Sequence, residues 1–241
     1  MDEHRTPTIV LVHGAFADTG SWAPTTELLI EAGADVTAIA NPLRGLHHDA
    51  TYVASVINQI PGPVLAVGHS YGGAVITNAC TSTPNVVGLT YVAAFAPDEG
   101  ETIVDRVRGS RDSMLMTALV PSDYPTGAGD ATAAEVVIDP ARFHAVFAAD
   151  LPPFRSDVFA RSQRPVAVGS FSEETRAPAW RRLPVWAAVA TADTAAGSDL
   201  VLSMAHRAGA TVTEIDGSHA IAISQPEAVT EVILSARRAV T

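Results

Sequence analysis

Residues 63–80 read PVLAVGHSYGGAVITNAC, and this stretch decides the interpretation of the fold. An apolar run at 64–67 leads into the pentapeptide GHSYG at 68–72, and an Ala/Val/Ile-rich segment with helical spacing follows. The order strand, tight turn and helix is the context of a G-x-S-x-G nucleophile elbow. The stretch therefore predicts that Ser70 lies on a strained turn at the carboxyl end of a strand, where its hydroxyl can act as a nucleophile.

The two glycines that flank Ser70 are expected to be required by space. A Cβ at Gly68 or Gly72 would collide with backbone that passes close to the turn. Because a five-residue G-x-S-x-G match also arises by chance, the interpretation depends on its context. Here a strand precedes the motif, a helix follows it, and compatible catalytic partners occur in a suitable chain order.

Length and composition favour one α/β domain that carries an insertion. Of the 241 residues, 47% are hydrophobic and 17% are charged, which is typical of buried parallel strands between Ala-rich helices. The predicted strands are residues 8–12, 35–40, 64–67, 86–94, 185–191 and 211–215. The predicted helices are residues 21–33, 50–60, a segment directly after the elbow, 198–208 and 225–239. We predict a mostly parallel, doubly wound sheet, with residues 1–96 and 184–241 as the core.

Residues 97–183 break this alternation. Prolines recur in this stretch, and aromatic residues appear singly. We expect a mostly helical cap, or lid, that lies over the carboxyl edge of the sheet. Asp139-Pro140 has the pattern of a helix start, and Phe143 and Phe147, at i and i+4, would share one face of that helix. Most of the aromatic residues are expected to form the cap's own small core rather than to contact a substrate.

Charge and segment composition narrow the range of partners. A formal charge of −11 argues against nucleic acid and anionic membranes and favours a small neutral molecule. No run reaches the 18 apolar residues of a membrane span, and the amino terminus MDEHRTPT lacks the apolar run of a signal peptide. The single cysteine, Cys80, allows no internal disulfide. We therefore expect a cytoplasmic protein, and the sequence predicts no particular oligomeric state.

A serine hydroxyl is an effective nucleophile only when a base accepts its proton and a third group orients that base. Enzymes with this elbow carry the three groups in the chain order Ser, Asp or Glu, His. His219, the last histidine, directly follows the final predicted strand and is the predicted base. Asp193, after the strand at 185–191, is the favoured acid. Asp98 and Asp216 stay open as alternatives. Asp98 also follows a strand, whereas Asp216 lies three residues before His219 and fits the turn chemistry of its own loop.

The reaction also needs donors for the oxyanion of a tetrahedral intermediate. The first strand ends beside the central one, so the amides after Gly14 are placed to point at the space above Ser70. We predict the backbone amides of Ala15 and Tyr71 as the oxyanion hole, with Phe16 as the alternative to Ala15.

Four other histidines are not predicted to act in catalysis. His13 and His69 adjoin the site and are expected to be structural, each holding its own turn by a hydrogen bond. His47 and His48 are adjacent in a predicted loop without an Asp, Glu or Cys set of zinc spacing, so no metal site is predicted. The glycines do not form the G-x-G-x-x-G pattern of a dinucleotide site. No metal and no organic cofactor is implied.

Four segments carry a resemblance to a known family: HGAF at 13–16, GHSYGG at 68–73, ATAD at 190–193 and GSHAIAISQPEAV at 217–229. Together they resemble bacterial α/β-hydrolase esterases related to plant methylesterases and hydroxynitrile lyases. The resemblance covers nearly the whole chain and is weakest in the insertion. It implies Ser70, Asp193 and His219 as the triad and Ala15 and Tyr71 as the oxyanion donors. One segment departs from these relatives, which usually have a bulky aliphatic residue and often a proline after the acid: residues 194–197 are TAAG.

The predicted function is a serine hydrolase that cleaves a carboxylic ester, or a related acyl bond, of a small hydrophobic substrate through an acyl-enzyme. Two alternatives stay open. The same residues can serve a hydroxynitrile-lyase-like reaction in which no acyl-enzyme forms, although no lysine lies near the expected site to favour it. The second alternative is a ligand-binding or auxiliary protein with a vestigial site. The retention of all three triad residue types counts against this alternative.

Overall fold

Strands and helices alternate along most of the chain, and the computed structural model describes residues 6–241. The nine strands of this described part are β1 (Thr8–Val12), β2 (Val36–Ile39), β3 (Val64–His69), β4 (Val86–Val92), β5 (Leu119–Pro125), β6 (Thr132–Ile138), β7 (Val166–Ala167), β8 (Val185–Ala190) and β9 (Thr211–Ile215). Its ten α-helices are α1 (Ala23–Glu31), α2 (Leu46–Ile57), α3 (Tyr71–Ala79), α4 (Ile103–Arg108), α5 (Pro140–Phe147), α6 (Pro153–Arg161), α7 (Gly169–Ser172), α8 (Ser198–Arg207), α9 (Ile221–Ser224) and α10 (Pro226–Ala239). Residues 1–5 lie outside the described residues. They belong to the amino-terminal segment on which the expectation about a signal peptide rests.

Six strands form one parallel sheet in the order β2-β1-β3-β4-β8-β9. Because every pair in it is parallel, the carboxyl ends of all six strands meet at one edge. The segments after β1, β3, β8 and β9 contain the predicted site residues. The structure thus confirms the doubly wound parallel sheet and brings these segments to the edge at which open α/β sheets bind ligands.

The sheet is covered by helices on both faces. Successive residues of β1 point to opposite sides: Ile9 and Leu11 pack in one cluster with α1 and α10, and Val10 and Val12 pack in another with α2, α3 and α8. All residues of β1 and β3 are buried, as expected for strands covered on both faces. Each fully buried Val, Leu or Ile contributes about 1.5–3 kcal/mol, so these strands form a rigid base for the site.

The predicted strands agree with the structure to within two residues at each end, but helix α2 begins earlier than predicted. His47 and His48, which the sequence places in a loop, lie in its first turn. The Glu173 carboxylate of the insertion accepts a hydrogen bond from the His47 amide at 2.8 Å. This partner of the helix start is 126 residues away, and local sequence therefore does not reveal it.

The insertion contains a β-hairpin that the sequence prediction lacks. β5 and β6 pair antiparallel along their whole lengths, and β7 extends the ladder to three strands. Pro121 and Pro125 argue against a central strand, but β5 is an edge strand of this small sheet, where a missing N–H donor is tolerated. The expected cap is therefore a mixture of helices and a hairpin.

The predicted helix start at Asp139-Pro140 is confirmed. The Asp139 carboxylate accepts a hydrogen bond from the Ala141 amide at 2.9 Å and caps α5. Phe143 and Phe147 share one face of this helix, and their rings stack with centroids 4.9 Å apart. The helix thus presents a continuous aromatic surface inside the insertion.

Candidate active site

Ser70 lies on the tight turn between β3 and α3. Its backbone has φ 54° and ψ −124°, a conformation that costs a non-glycine residue about 1–3 kcal/mol. A Cβ on Gly68 would lie 2.6 Å from the carbonyl carbon of Gly72, and one on Gly72 would overlap the carbonyl oxygen of Val12. The space requirement predicted for both glycines is confirmed, and the strained turn holds Ser70 at the sheet edge.

Asp193 and His219, which follow β8 and β9, form a buried pair. The distance from His219 Nδ1 to Asp193 Oδ2 is 2.7 Å, and the two side chains are 2% and 0% exposed. The other carboxylate oxygen, Oδ1, accepts hydrogen bonds from the amides of Ala195 and Ala196, each at 2.9 Å. Because the carboxylate accepts from Nδ1, the imidazole proton lies on Nδ1 and Nε2 is left to accept one.

Ser70 and His219 line the same small cavity. Its remaining walls are apolar: Ala15, Phe16, Phe95, Leu115, Phe147, Phe171, Ala195 and Ala196. The hydrogen bonds of His219 in the described structure are those to Asp193 and His69. The bond from a triad serine to its histidine is often completed only in the Michaelis complex. Two of the four TAAG residues that follow Asp193, the predicted acid, form part of the cavity wall.

The two alternative acids have other partners in the described chain. Asp98 forms an ion pair with Arg181 at 2.6 Å and accepts a hydrogen bond from the Glu99 amide at 2.8 Å. Asp216, which directly follows β9, accepts a hydrogen bond at 3.4 Å from the hydroxyl of Thr191, which directly follows β8. The contact with His219 is therefore made by the favoured candidate, Asp193.

The predicted oxyanion donors are both close to Ser70: Ala15 lines the same cavity, and Tyr71 is the next residue in the chain. Phe16 also lines this cavity and has φ 63°. Tyr71 is the first residue of α3, and its hydroxyl donates to Asp49 at 2.8 Å in the core. Within residues 6–241, neither the Ala15 amide nor the Tyr71 amide has a backbone hydrogen-bond acceptor. Unpaired amides of this kind suit an oxyanion, and the role of the two stays a prediction.

His69 and His13 are held neutral in the protein interior. Burial lowers the pKa of His69 to about 3 and that of His13 to about 4. His69 Nε2 donates to the backbone carbonyl of His219 at 2.9 Å, so it holds the loop of the predicted base rather than its own turn. His13 donates from Nδ1 to the carbonyl of Gly14 at 2.8 Å and accepts at Nε2 from the Asn41 amide at 3.0 Å. The structural role expected for His13 is confirmed.

A profile described as the alpha/beta hydrolase family matches residues 9–232. The chain belongs to the alpha/beta hydrolase family. A nucleophile elbow, a catalytic triad and an oxyanion hole are typical of its members.

Two curated proteins and one solved structure illustrate what this member of the alpha/beta hydrolase family is similar to. A chloroplastic protein of Arabidopsis thaliana named methylesterase 11 is 29% identical over 119 residues, which are 44% of this chain and 30% of the relative. The carbendazim hydrolyzing esterase of Nocardioides sp. (strain SG-4G) is 31% identical over 108 residues, 39% of this chain and 45% of the relative. The chain thus spans less than half the length of either. The crystal structure of polyneuridine aldehyde esterase has a TM-score of 0.80 and 19% identity over 96% of this chain and 99% of that one, and it shows the shared fold.

Residues of the 97–183 insertion contact the loops that carry the predicted site residues. The Ser113 hydroxyl donates to the carbonyl of Ala195, close to the predicted acid Asp193, at 2.5 Å. The Arg164 guanidinium donates to the carbonyl of Asn41 at 2.8 Å and lies 3.2 Å from His13 Nε2, next to the predicted oxyanion loop. Sequence reasoning missed these residues because their partners are 82 or more positions away and no motif links them.

Asp150 of the insertion binds the loop that carries His219. Its carboxylate accepts hydrogen bonds from the Ser218 amide at 2.9 Å, the Ser218 hydroxyl at 2.5 Å and the Ser224 hydroxyl at 2.7 Å. Burial opposes its ionisation, but these hydrogen bonds outweigh that effect and lower the pKa of Asp150 below its ordinary value. One carboxylate thus fixes both ends of the segment that holds the predicted base.

Asp150→Asn is expected to lower the free energy of unfolding by about 1 kcal/mol at neutral pH, because partly exposed charge-assisted hydrogen bonds are lost. A carboxyl whose pKa is lower in the folded chain contributes stability above its unfolded pKa and loses it as pH falls through the folded pKa. The difference in Tm between wild type and variant should therefore be largest at pH 6–8 and shrink toward pH 3, as measured by thermal unfolding.

Asp157→Asn is the matched control for this measurement. Asp157 pairs with Arg161 at 3.0 Å on the exposed side of α6 and does not contact the His219 loop. Its replacement should change Tm little at any pH, since exposed ion pairs contribute at most about 1 kcal/mol. A Tm difference for Asp150→Asn that stays constant from pH 8 to pH 3 would contradict the role of its charge.

The described chain was also compared with three sequence expectations, which concern a membrane span, a metal site and the single cysteine. Between residues 6 and 241, no helix has both the length and the apolar character needed to cross a membrane. In the same part of the chain, no group of three or more His, Cys, Asp or Glu is placed to hold a metal ion. The Cys80 thiol is buried, and burial raises its pKa to about 12, so it is not a competing nucleophile.

Proposed function

We propose that the chain is a serine esterase that cleaves the carboxylic ester of a small, hydrophobic molecule. Ser70 is the nucleophile, His219 the general base and Asp193 the acid that orients it. One observation carries the proposal: His219, whose Nδ1 lies 2.7 Å from the buried carboxylate of Asp193, lines the same cavity as Ser70, a serine held at positive φ. The names of the two curated relatives, a methylesterase and a carbendazim hydrolyzing esterase, support it.

The geometry supports a two-step reaction. Ser70 Oγ attacks the ester carbonyl carbon while its proton passes to His219 Nε2, and Asp193 stabilises the imidazolium that forms. The amides of Ala15 and Tyr71 bind the oxyanion. When the intermediate collapses, His219 returns the proton to the leaving alkoxide, and the alcohol departs from an acyl-enzyme. Water then attacks the acyl group by the same route and releases the acid and free Ser70.

An acyl-enzyme on Ser70 is the decisive experimental result. A fluorophosphonate probe should label the wild-type protein at Ser70, and p-nitrophenyl acetate should give a burst of p-nitrophenol followed by slower turnover. A protein that cleaves mandelonitrile without a burst would instead favour the lyase reaction. A protein that binds ligands but resists the probe would favour a vestigial site.

The pH dependence of turnover provides an independent test. A reaction that needs a neutral imidazole gains rate over about pH 6–8, since an imidazole titrates in that range. Burial lowers the pKa of the two neighbouring histidines to about 3 for His69 and about 4 for His13, so neither of them would produce an inflection in this range. Measured kcat/KM for p-nitrophenyl acetate should rise through that interval, whereas a flat profile would argue against an imidazole base.

A further inference from the structure

A second, larger cavity lies beside the one that contains Ser70. It has a volume of about 170 Å³, whereas the cavity at Ser70 has about 10 Å³, space for about one water molecule. Phe16 and Phe147 line both cavities, so their rings form the partition between them. The larger cavity, here called the side chamber, is thus separated from the nucleophile by two aromatic side chains.

Phe147 is the part of this partition that touches the catalytic machinery. Its ring packs edge-on against the His219 imidazole, with centroids 4.8 Å apart and the planes at 78°. On its other side it stacks on Phe143, which also lines the side chamber. Little space is left above Ser70, and a rotation of the Phe147 ring, which lines both cavities, would join them and make room for an ester carbonyl.

The walls of the side chamber indicate what it can hold. The inner walls are buried and apolar and include Phe143, Ala148 and Leu151, whereas the outer end lies at Asp18 and Ser162, which are exposed. No basic residue is among the described residues that line it. A cavity of about 150 Å³ with apolar walls binds one benzene ring, so the side chamber fits an uncharged group of that size.

We propose that the side chamber binds the apolar group of the ester, either its acyl or its alkoxy part, and that Phe147 sets the size that is accepted. The inference rests on the proposed function and gives it a substrate class: neutral esters with a group of about six carbon atoms, linear or in one ring. Such a group would displace water from apolar walls and hold the ester carbonyl above Ser70. Longer groups meet the exposed end of the side chamber, and charged groups lose hydration without gaining a partner.

The test compares two series of esters in the wild-type protein and in three variants. One series varies the acyl group (p-nitrophenyl acetate, butyrate, hexanoate and decanoate), and the other varies the alcohol (methyl, butyl, hexyl and benzyl acetate). Ile223→Trp fills the side chamber from a half-buried wall position, and Phe147→Ala removes one of the two rings that form the partition. Val158→Trp, on the exposed side of α6, is the matched control.

Ile223→Trp should lower the preference for six-carbon over the smallest esters about tenfold or more in one of the two series, because each lost methylene contact changes kcat/KM by about tenfold. Phe147→Ala should shift the optimum to longer groups in that same series, and Phe147→Leu should do so to a smaller extent if the alanine variant fails to fold. The series that responds identifies the group that occupies the side chamber. Val158→Trp should leave both profiles unchanged.

Unchanged profiles in both series for folded Ile223→Trp and Phe147→Ala would overturn the inference. Folding is checked by circular dichroism, and intact sites are counted by fluorophosphonate titration. A failure of the proposed function has a different signature, because Ser70 would then resist the probe and Ser70→Ala would retain turnover in both series. The two outcomes are therefore distinguished within one set of proteins.

Discussion

Ser70→Ala is expected to lower kcat for p-nitrophenyl acetate by at least about 10³-fold, because deletion of a triad nucleophile removes the acyl-enzyme route altogether. The elbow geometry makes the result specific to the hydroxyl. Ser70 is held at φ 54° by glycines whose neighbours leave no room for a Cβ, and alanine keeps the same backbone and the same Cβ. Steady-state kinetics and the loss of fluorophosphonate labelling measure the effect.

Ser156→Ala is a matched control for that experiment. Ser156 is as buried as Ser70, lies in α6, and its hydroxyl has no hydrogen-bond partner among the described residues. Its replacement should leave kcat within about twofold, since substitutions away from special features change little. If Ser70→Ala keeps more than about a tenth of the wild-type kcat, the nucleophile is another residue and the proposed mechanism is wrong.

The elements that the sequence predicts well are those whose signals are local. β1 and β9 are found at the predicted residues, and the elbow lies where GHSYG predicts it, because buried parallel strands appear as continuous β-branched runs and the turn demands glycine. The pair Asp193 and His219 also follows from local order, since each comes directly after a strand of one parallel sheet. Topology then places them at one edge.

The features that sequence reasoning misses depend on distant partners. The start of α2 is capped by Glu173, and the loop of His219 is bound by Asp150, 68 positions away from Ser218. Strand β5 of the hairpin contains two prolines, which argue against a strand in the sequence. They are tolerated because β5 lies at the edge of its sheet, and local sequence does not show that edge position. The side chamber likewise arises where α5 and α6 of the insertion face the loop after β1, a packing arrangement that no local pattern encodes.

The order of residues along the chain does not distinguish Asp98 from Asp193 as the predicted catalytic acid. Asp98 and Asp193 each follow a strand of the same parallel sheet, so both patterns predict a carboxylate at the catalytic edge. Only side-chain contacts separate them, because Asp98 pairs with Arg181 while Asp193 contacts His219. Each carboxylate has a partner, but only one partner is an imidazole.

Asp193→Asn is expected to lower kcat about 10⁴-fold while the fold stays intact, as is typical when a triad acid is made neutral. The structure supplies the reason. The amides of Ala195 and Ala196 both donate to Oδ1, so in the asparagine variant the carbonyl oxygen takes that position and the NH₂ group faces His219 Nδ1. An NH₂ donor makes Nδ1 the acceptor and moves the imidazole proton to Nε2, which can then no longer take the proton from Ser70.

Asp98→Asn is the matched comparison, since it makes the same chemical change at the other strand end. It removes one ion pair with the half-exposed Arg181, so the free energy of unfolding should fall by at most about 1 kcal/mol and kcat should stay within about twofold. Steady-state kinetics of both variants, with circular dichroism to check folding, decide between the two carboxylates. A loss of decades in Asp98→Asn, with Asp193→Asn near wild type, would transfer the acid to Asp98 and require the His219 loop to adopt another arrangement during turnover.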